Sequence, residues 1–390
     1  MATAIDRRAF ISSVAAVGIS ACAGRPAHAY PELEAAGGPG DLGLAQGKAF
    51  ATRIRANLDF YLDWLSLSGQ IPASRLLELA AGFAPVLGEL FPDILEEIDG
   101  VARGAGLSLG EVLLINARTD VMALVEAVSA SRAVPACTAL ALRGRVRGRP
   151  AIALAQNWDW DPALADAPVV LRLRPSRGPA LVTLVEAGMI GKIGFNEHRL
   201  GVCLNFLSHT GDGRSDRIGV PVHCLLRAAM NCDSLDRVIA TVEASPRTAS
   251  ANFLLAQHRS GEPRAVDLEI SPTEVAAIPA DGRDLVHTNH FLHPNLGPGC
   301  TSGRGPSTMN RMATAERLAA ELAPTVEDPV RRAETVLTSR DGLPYPISRD
   351  RNPDPSSSTL AGIIMDLTRN RLLLTAGPPH LHPWVEHAGV

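Results

Sequence analysis

Pro135-Ala136-Cys137-Thr138 opens, and Gln156-Asn157-Trp158-Asp159 closes, the stretch whose reading decides how this chain folds. Between those blocks, Cys137 to Leu142 and Ala151 to Ala155 read as two short strands. Arg143 to Arg149 reads as a polar Arg/Gly turn, so the whole is a hairpin. A hairpin brings its ends together, and the Asp159 carboxylate can then lie beside Cys137. A cysteine that opens a strand after a proline-braced loop is placed to become a new chain terminus if the preceding bond is cut. Such a nucleophile carries its own base, because a free α-amino group has a pKa of about 7.7–8.0 and can take the thiol proton. Taken alone, a cysteine at a strand start is more often a buried hydrophobe. A lone aspartate after a strand is more often a turn residue or a helix cap.

Outward from the hairpin the chain changes character on both sides. Lys48 to about Ser129 is helical in pattern, with apolar residues at three- and four-residue steps such as Leu76-Leu77-Leu79 and Ile94-Leu95-Ile98. Ser108-Leu109-Gly110-Glu111 is a capping box. Pro31 to Gly47, rich in Gly, Pro and Ala, reads as a tether or irregular entry. After the hairpin, strands are expected at Val169–Leu173, Ala180–Glu186, Lys192–Phe195 and Leu200–Phe206. Helices follow at Pro221–Asn231 and Ser234–Ala244. Strands resume at Asn252–Gln257, Arg264–Ile270, Glu274–Ile278 and Leu285–Thr288. Helices at Pro306–Leu322 and around Pro329–Leu337 precede a final hairpin, Thr359–Leu367 and Arg371–Ala376. Runs of strands separated by runs of helices predict an α+β protein of packed layers.

Further motifs keep the hairpin company: Glu186-Ala187-Gly188-Met189-Ile190-Gly191-Lys192-Ile193-Gly194-Phe195-Asn196, His287-Thr288-Asn289-His290 and Tyr345-Pro346-Ile347-Ser348-Arg349. In this order the set resembles the acyl-coenzyme A:6-aminopenicillanic acid acyltransferase family, a branch of the N-terminal-nucleophile hydrolases, from about Gly100 to Gly377. The resemblance implies a four-layer αββα sandwich with a helical N-terminal segment, and a precursor that cuts itself before its nucleophilic cysteine. It carries the nucleophile to Cys137, the residue that helps hold the terminal amino group to Asp159, and the oxyanion donor to Asn289. It carries the late arginine to Arg349, with Arg351 close by. No cofactor or metal is implied. Ala136 stands where the family usually has glycine, which adds steric demand at the bond to be cut. Gln156 stands where bile-salt hydrolases have arginine, which favours the acyltransferase branch. Glu186 reads as a structural acid. Asn205 and Asn252 are candidate second donors, although a strand-end asparagine bonded to backbone is the simpler reading. His209, His223, His258, His287 and His290 look scattered, without a companion Ser/Asp pattern.

The first residues are different in kind. Asp6-Arg7-Arg8-Ala9-Phe10-Ile11, a charge-free stretch from Ala9 to Gly24 and Ala27-His28-Ala29 form a twin-arginine-type leader over residues 1–29. Ile19-Ser20-Ala21-Cys22 resembles a lipoprotein box, so a lipid anchor at Cys22 competes with cleavage after Ala29. The expected parts are thus a leader (1–29), a helical small chain (30–136) and a catalytic large chain (137–390), the two chains staying associated. The net charge of −4 excludes a polyanion-binding role, and 4% aromatics argue against a nucleic-acid stacking surface. Removing residues 1–29 takes away Arg7, Arg8 and Arg25 against Asp6, which moves −4 to −6. The cysteines lack zinc-like spacing. Cys203, Cys224, Cys232 and Cys300 could pair in an oxidising compartment, but buried thiols are the plainer state.

The expected activity is a periplasmic or secreted cysteine amidohydrolase acting on small N-acyl amides or amino-acid conjugates through a thioester. Export would place it where acyl-coenzyme A is not expected, which favours water as acceptor. Two other readings stay open: an acyltransferase moving an acyl group between coenzyme A or an amide and an amine, and a non-catalytic ligand-binding protein on the same scaffold. A cysteine peptidase with a separate histidine base finds little support in the scattered histidines.

Overall fold

The computed structural model describes residues 30–125, 136–214, 218–301, 305–351 and 356–390. The leader, with Cys22, and Pro135 of the loop before Cys137 lie outside the described residues. The predicted hairpin is longer than its apolar runs suggested. It comprises β2 (Ala136–Val146) and β3 (Arg149–Trp160), turned at Arg147 and Gly148, whose φ angles of 52° and 75° are left-handed. It sits in an antiparallel sheet of six strands in the order β11-β2-β3-β12-β13-β14. The other members are β11 (Leu285–His287), β12 (Ser358–Asp366), β13 (Arg371–Ala376) and β14 (Val385–Ala388).

A second sheet of eight strands has the order β1-β4-β5-β6-β7-β8-β9-β10. It is built from β1 (Glu32–Gly37), β4 (Pro168–Pro175), β5 (Leu181–Glu186), β6 (Ile193–Asn196) and β7 (Leu200–Phe206). It continues through β8 (Ala251–Arg259), β9 (Glu262–Ile270) and β10 (Val275–Pro279). Only β1 runs parallel to its neighbour, β4.

Alternation in the hairpin explains why two cores form. Ala139, Ala141, Ile152 and Leu154 face the eight-stranded sheet and join the core between the sheets. Leu140, Leu142, Ala153 and Ala155 point the other way. There they meet Ala315 and Ala319 of one helix (Pro306–Leu322) and Ala333 and Val336 of the next (Pro329–Thr338). A strand buried on both faces in this way holds its register firmly, because a one-residue slip would exchange the two faces.

The outer face of the eight-stranded sheet carries helices α1 (Pro39–Gly69), α2 (Ala73–Ala81), α3 (Ala84–Leu90), α4 (Pro92–Ala105), α5 (Leu109–Asn116) and α6 (Arg118–Leu124), with α7 (Val222–Met230) and α8 (Leu235–Ala244). The two helices on the six-stranded sheet are then α9 (Pro306–Leu322) and α10 (Pro329–Thr338). The four-layer αββα order implied by the resemblance is the order found. The capping box is also present: Ser108 N–H donates to Glu111 Oε2 at 2.7 Å, and Glu111 N–H donates to Ser108 Oγ at 3.3 Å.

The tether expected at Pro31–Gly47 is not one. Those residues form β1 and the first turns of α1, and their glycines serve close packing. A methyl group at Gly43 would lie 1.9 Å from the Glu97 carbonyl oxygen, and one at Gly104 would lie 2.5 Å from that of Leu44. Backbones of α1 and α4 touch at these points, which only glycine permits. Strand β14 was not anticipated either; its four residues are partly exposed and carry little apolar signal. Cys137, Cys203, Cys224 and Cys232 are free thiols. Among the described residues, no helix is long and apolar enough to cross a membrane.

Candidate active site

Cys137 is the second residue of β2 and is buried. Its peptide N–H donates to Asn289 Oδ1 at 2.9 Å. Asn289 follows β11, the strand hydrogen-bonded to β2, so sheet pairing delivers it. Its position is fixed at two further points. Its backbone N–H donates to Thr308 Oγ1 at 2.9 Å, and its Nδ2 donates to the Phe206 carbonyl at 3.0 Å. Arg311, from α9, closes this side. It donates to the Cys137 carbonyl, to Thr138 Oγ1 at 3.1 Å and to Asn289 Oδ1 at 2.9 Å.

Asp159 stands directly across from Ala136, and Cys137 across from Trp158. The aspartate is therefore beside the Ala136–Cys137 bond, while its side chain shares a face with Asn157, whose amide reaches the Leu337 carbonyl of α10 at 2.8 Å. One carboxylate oxygen accepts from Thr359 Oγ1 at 2.6 Å; the other is buried without a partner. Burial pushes the Asp159 pKa up from 3.8 to about 6, against the pull of Arg349 and Arg311. Arg349 is buried and held at its backbone: its N–H donates to Thr359 Oγ1 at 3.0 Å, and its carbonyl accepts from Thr359 N–H at 2.9 Å. Arg351 is exposed, which selects Arg349 as the arginine of this site. Asn289 and Asp159 thus flank the backbone at Cys137, and Arg349 stands behind Asp159, joined to it through Thr359.

The Cys137 thiol is pushed above its ordinary pKa by burial and then by the Asp159 carboxylate; the Asp159 backbone N–H, Lys192 and Arg311 pull it down. Trp158, Lys192 and Arg118 line a small cavity with Cys137. Glu186 is fully buried and structural, as read from the sequence. It accepts from Lys192 Nζ at 2.6 Å, Arg118 Nη2 at 2.8 Å and the Tyr61 hydroxyl at 2.6 Å. Burial raises its pKa less than these cations lower it, leaving it at about 2.

The histidines are less scattered than their spacing suggested. His287 Nε2 lies 3.0 Å from Glu269 Oε1 and 3.9 Å from Asp267 Oδ2, all three side chains buried. The group could surround a cation. Glu269 already accepts from the Leu292 and His293 backbone N–H groups, so its oxygens brace the loop after Asn289. Asn205 Nδ2 donates to the His287 carbonyl at 3.3 Å, the backbone role thought simpler for it. Asn252 Nδ2 reaches Asn205 Oδ1 at 3.5 Å.

Arg311, Lys192 and Arg118 escaped the sequence reading. Arg311 had a signal: the buried positions of α9 are Thr308, Arg311, Met312, Thr314, Ala315 and Ala319, and Arg311 lies on the three- and four-residue stripe among them. Lys192 stood inside a motif taken only as a family mark. Arg118 offered nothing local.

Two sheets stacked between helical layers are the αββα fold of the N-terminal-nucleophile hydrolases. Residues 146–380 match the family described as acyl-coenzyme A:6-aminopenicillanic acid acyl-transferase, and the chain belongs to it. The matched span contains Asp159, Asn289 and Arg349 and begins after Cys137. Members of this class hydrolyse amides or transfer acyl groups, and this chain is an enzyme of that kind. It is 28% identical over 349 residues to the 40 kDa form of acyl-coenzyme A:6-aminopenicillanic-acid-acyltransferase of Emericella nidulans, covering 88% of this chain and 92% of the relative. It is similar to a Caenorhabditis elegans ortholog of N-acylethanolamine-hydrolyzing acid amidase, with TM-score 0.43, 17% identity, and coverage of 59% of this chain and 93% of that one. Penicillin V acylase from Agrobacterium tumefaciens gives TM-score 0.41, 16% identity, and coverage of 61% and 82% respectively.

Proposed function

We propose that this chain is an exported precursor that cuts its own Ala136–Cys137 bond and then hydrolyses small N-acyl amides or amino-acid conjugates through Cys137. The observation that carries the reading is the hold on the Cys137 nitrogen. Asn289 Oδ1 accepts its N–H at 2.9 Å, and Asp159 stands opposite the preceding residue. Once the bond is cut, that nitrogen is an amine, and the same groups aim its lone pair at the sulfur. The thiol proton passes to the amine, Sγ attacks the amide carbonyl, and the amine returns the proton to the leaving nitrogen. Water then opens the thioester. Asn289 has amide N–H to offer the oxyanion, an arrangement whose loss costs about 10²–10³ in rate. Asp159 and Arg349 orient and tune the amine.

The two fragments are expected to stay together, because β1, which precedes the cut, is a strand of the eight-stranded sheet. Acyl transfer to an amine shares the thioester and is favoured by the family's name; the leader favours water, since export separates the enzyme from acyl-coenzyme A. The test gives the purified protein a panel of N-acyl amides and N-acyl amino acids beside acyl-coenzyme A with an amine. Release of acid from an amide is the expected result. Acylation of the amine from acyl-coenzyme A, much faster than hydrolysis of any amide, overturns the hydrolase reading.

A further inference from the structure

Of the residues read from the sequence, Asn289 holds the backbone nitrogen of Cys137, and Asp159 meets the sulfur with its backbone N–H and a repelling carboxylate. Cys137 lies in the core between the sheets together with Ala139 and Ala141, whereas Thr138, on the opposite face, meets Arg311 from the helical layer. In the uncut chain the Cys137 nitrogen is an amide and cannot take the thiol proton. Beyond the hydrogen bond from the Asp159 backbone N–H, what lowers the cost of the thiolate has to be positive charge, and the nearest such charge on the sulfur's own face lies on the inter-sheet side. There, the residue directly across the strand pair is Trp158, and the Lys192 ammonium sits 3.3 Å from the centroid of its ring. Cys137, Trp158, Lys192 and Arg118 line one cavity. Glu186 binds both cations, at 2.6 Å and 2.8 Å. Two cations against one anion leave positive charge, and Arg118 Nε is buried without a partner.

We infer that Lys192, backed by Arg118, is the charge that stabilises the Cys137 thiolate, both in the uncut precursor and in the mature enzyme. This inference rests on the reading of Cys137 as nucleophile. Other groups near the sulfur do not fill the role. The Asp159 carboxylate repels a thiolate, and Arg311 approaches from the far side of the strand, through the Cys137 carbonyl. Burial keeps Cys203 a neutral thiol, and burial beside Arg118 and Lys192 keeps His223 neutral. Burial lowers the Lys192 pKa, while Glu186 and the Cys137 thiolate itself raise it, so ammonium and thiolate stabilise each other, and the face of Trp158 adds a further preference for the ammonium form. During self-cleavage the thiol proton leaves to water and Sγ bonds to the Ala136 carbonyl carbon. The C–N bond to Cys137 then breaks, the departing nitrogen takes one proton back, and water hydrolyses the resulting Ala136 thioester, releasing the Ala136 carboxylate and the free Cys137 thiol. Lys192 supplies field and exchanges no atom. Arg118 precedes the cut, so the small chain would complete the large chain's site.

The test is the pH dependence of Cys137 alkylation by iodoacetamide, read by peptide mass on the purified full-length protein. Lys192→Met should raise the midpoint by about 1 to 3 pH units, the effect of one charge at close range. Lys192→Arg should stay near wild type. A folded Lys192→Met protein with an unchanged midpoint overturns the inference. Glu186→Gln keeps an acceptor for Tyr61 and adds net positive charge, so its midpoint should fall; because exposing the thiol would also lower it, the variant is compared only as protein that keeps the wild-type cooperative urea transition. A Glu186→Gln midpoint that rises or stays put overturns the inference even if Lys192→Met is insoluble. Alkylation requires neither cleavage nor turnover. A thiol that answers to Lys192 in a chain that never cuts itself would refute self-cleavage and leave the dependence of the thiolate on Lys192 standing.

Discussion

Replacing Asp159 by asparagine should make the protein more stable at neutral pH while removing its activity. Asp159 is buried, one of its oxygens has no partner, and its pKa rises from 3.8 to about 6 despite two nearby arginines. An acid whose folded pKa is raised contributes stability that is complete below its unfolded pKa and is lost as pH climbs through the folded one. At pH 7.5 the ionised carboxylate therefore costs about 3 kcal/mol, at about 1.36 kcal/mol per pH unit. Asparagine resembles the protonated form and keeps an oxygen for Thr359, so it avoids that cost. The comparison belongs in a Cys137→Ala background, where both proteins remain one chain. With a urea slope of about 3 kcal/mol per M, the midpoint should move up by about 1 M at pH 7.5. Most of that gain should vanish at pH 4, where the wild-type carboxyl is itself protonated in the folded protein. Equal midpoints at pH 7.5, or an asparagine variant that is the less stable of the two, would refute the reasoning.

Asn289→Ala removes the acceptor of the Cys137 N–H and the amide assigned to the oxyanion; amide turnover should fall by about 10²–10³, measured as kcat on the best substrate of the panel. Gly43→Ala puts a methyl group 1.9 Å from the Glu97 carbonyl oxygen. It should cost about 3 kcal/mol by forcing α1 and α4 apart, read as a lower urea midpoint with the cleavage site untouched.

Legibility in the sequence followed how local each signal was. Leu200–Phe206, Pro306–Leu322 and Arg371–Ala376 were bounded correctly at both ends, because period and breaker residues agree within each segment. Gly40, Gly43 and Gly47 misled because their partners Gly100 and Gly104 lie more than fifty residues away in the chain; glycine for close helix contact and glycine for a loose tether look alike. The same divide runs through the site. Cys137 and Asp159 belong to one hairpin and could be placed together from sequence, but strand register decides that Asp159 faces the helical layer and Cys137 the inter-sheet core. Asn289 and Arg349 entered through motifs. Arg118 and Lys192 reach the sulfur side only through the packing of the α1–α6 layer and the eight-stranded sheet against β2 and β3, which no short window contains.

Intact mass with N-terminal sequencing, on wild type beside Cys137→Ala, tests the central claim most directly. The account predicts two fragments in the wild type, the larger starting at Cys137, and one unbroken chain in the variant. A single chain in both, under conditions where the wild type is folded, would contradict it.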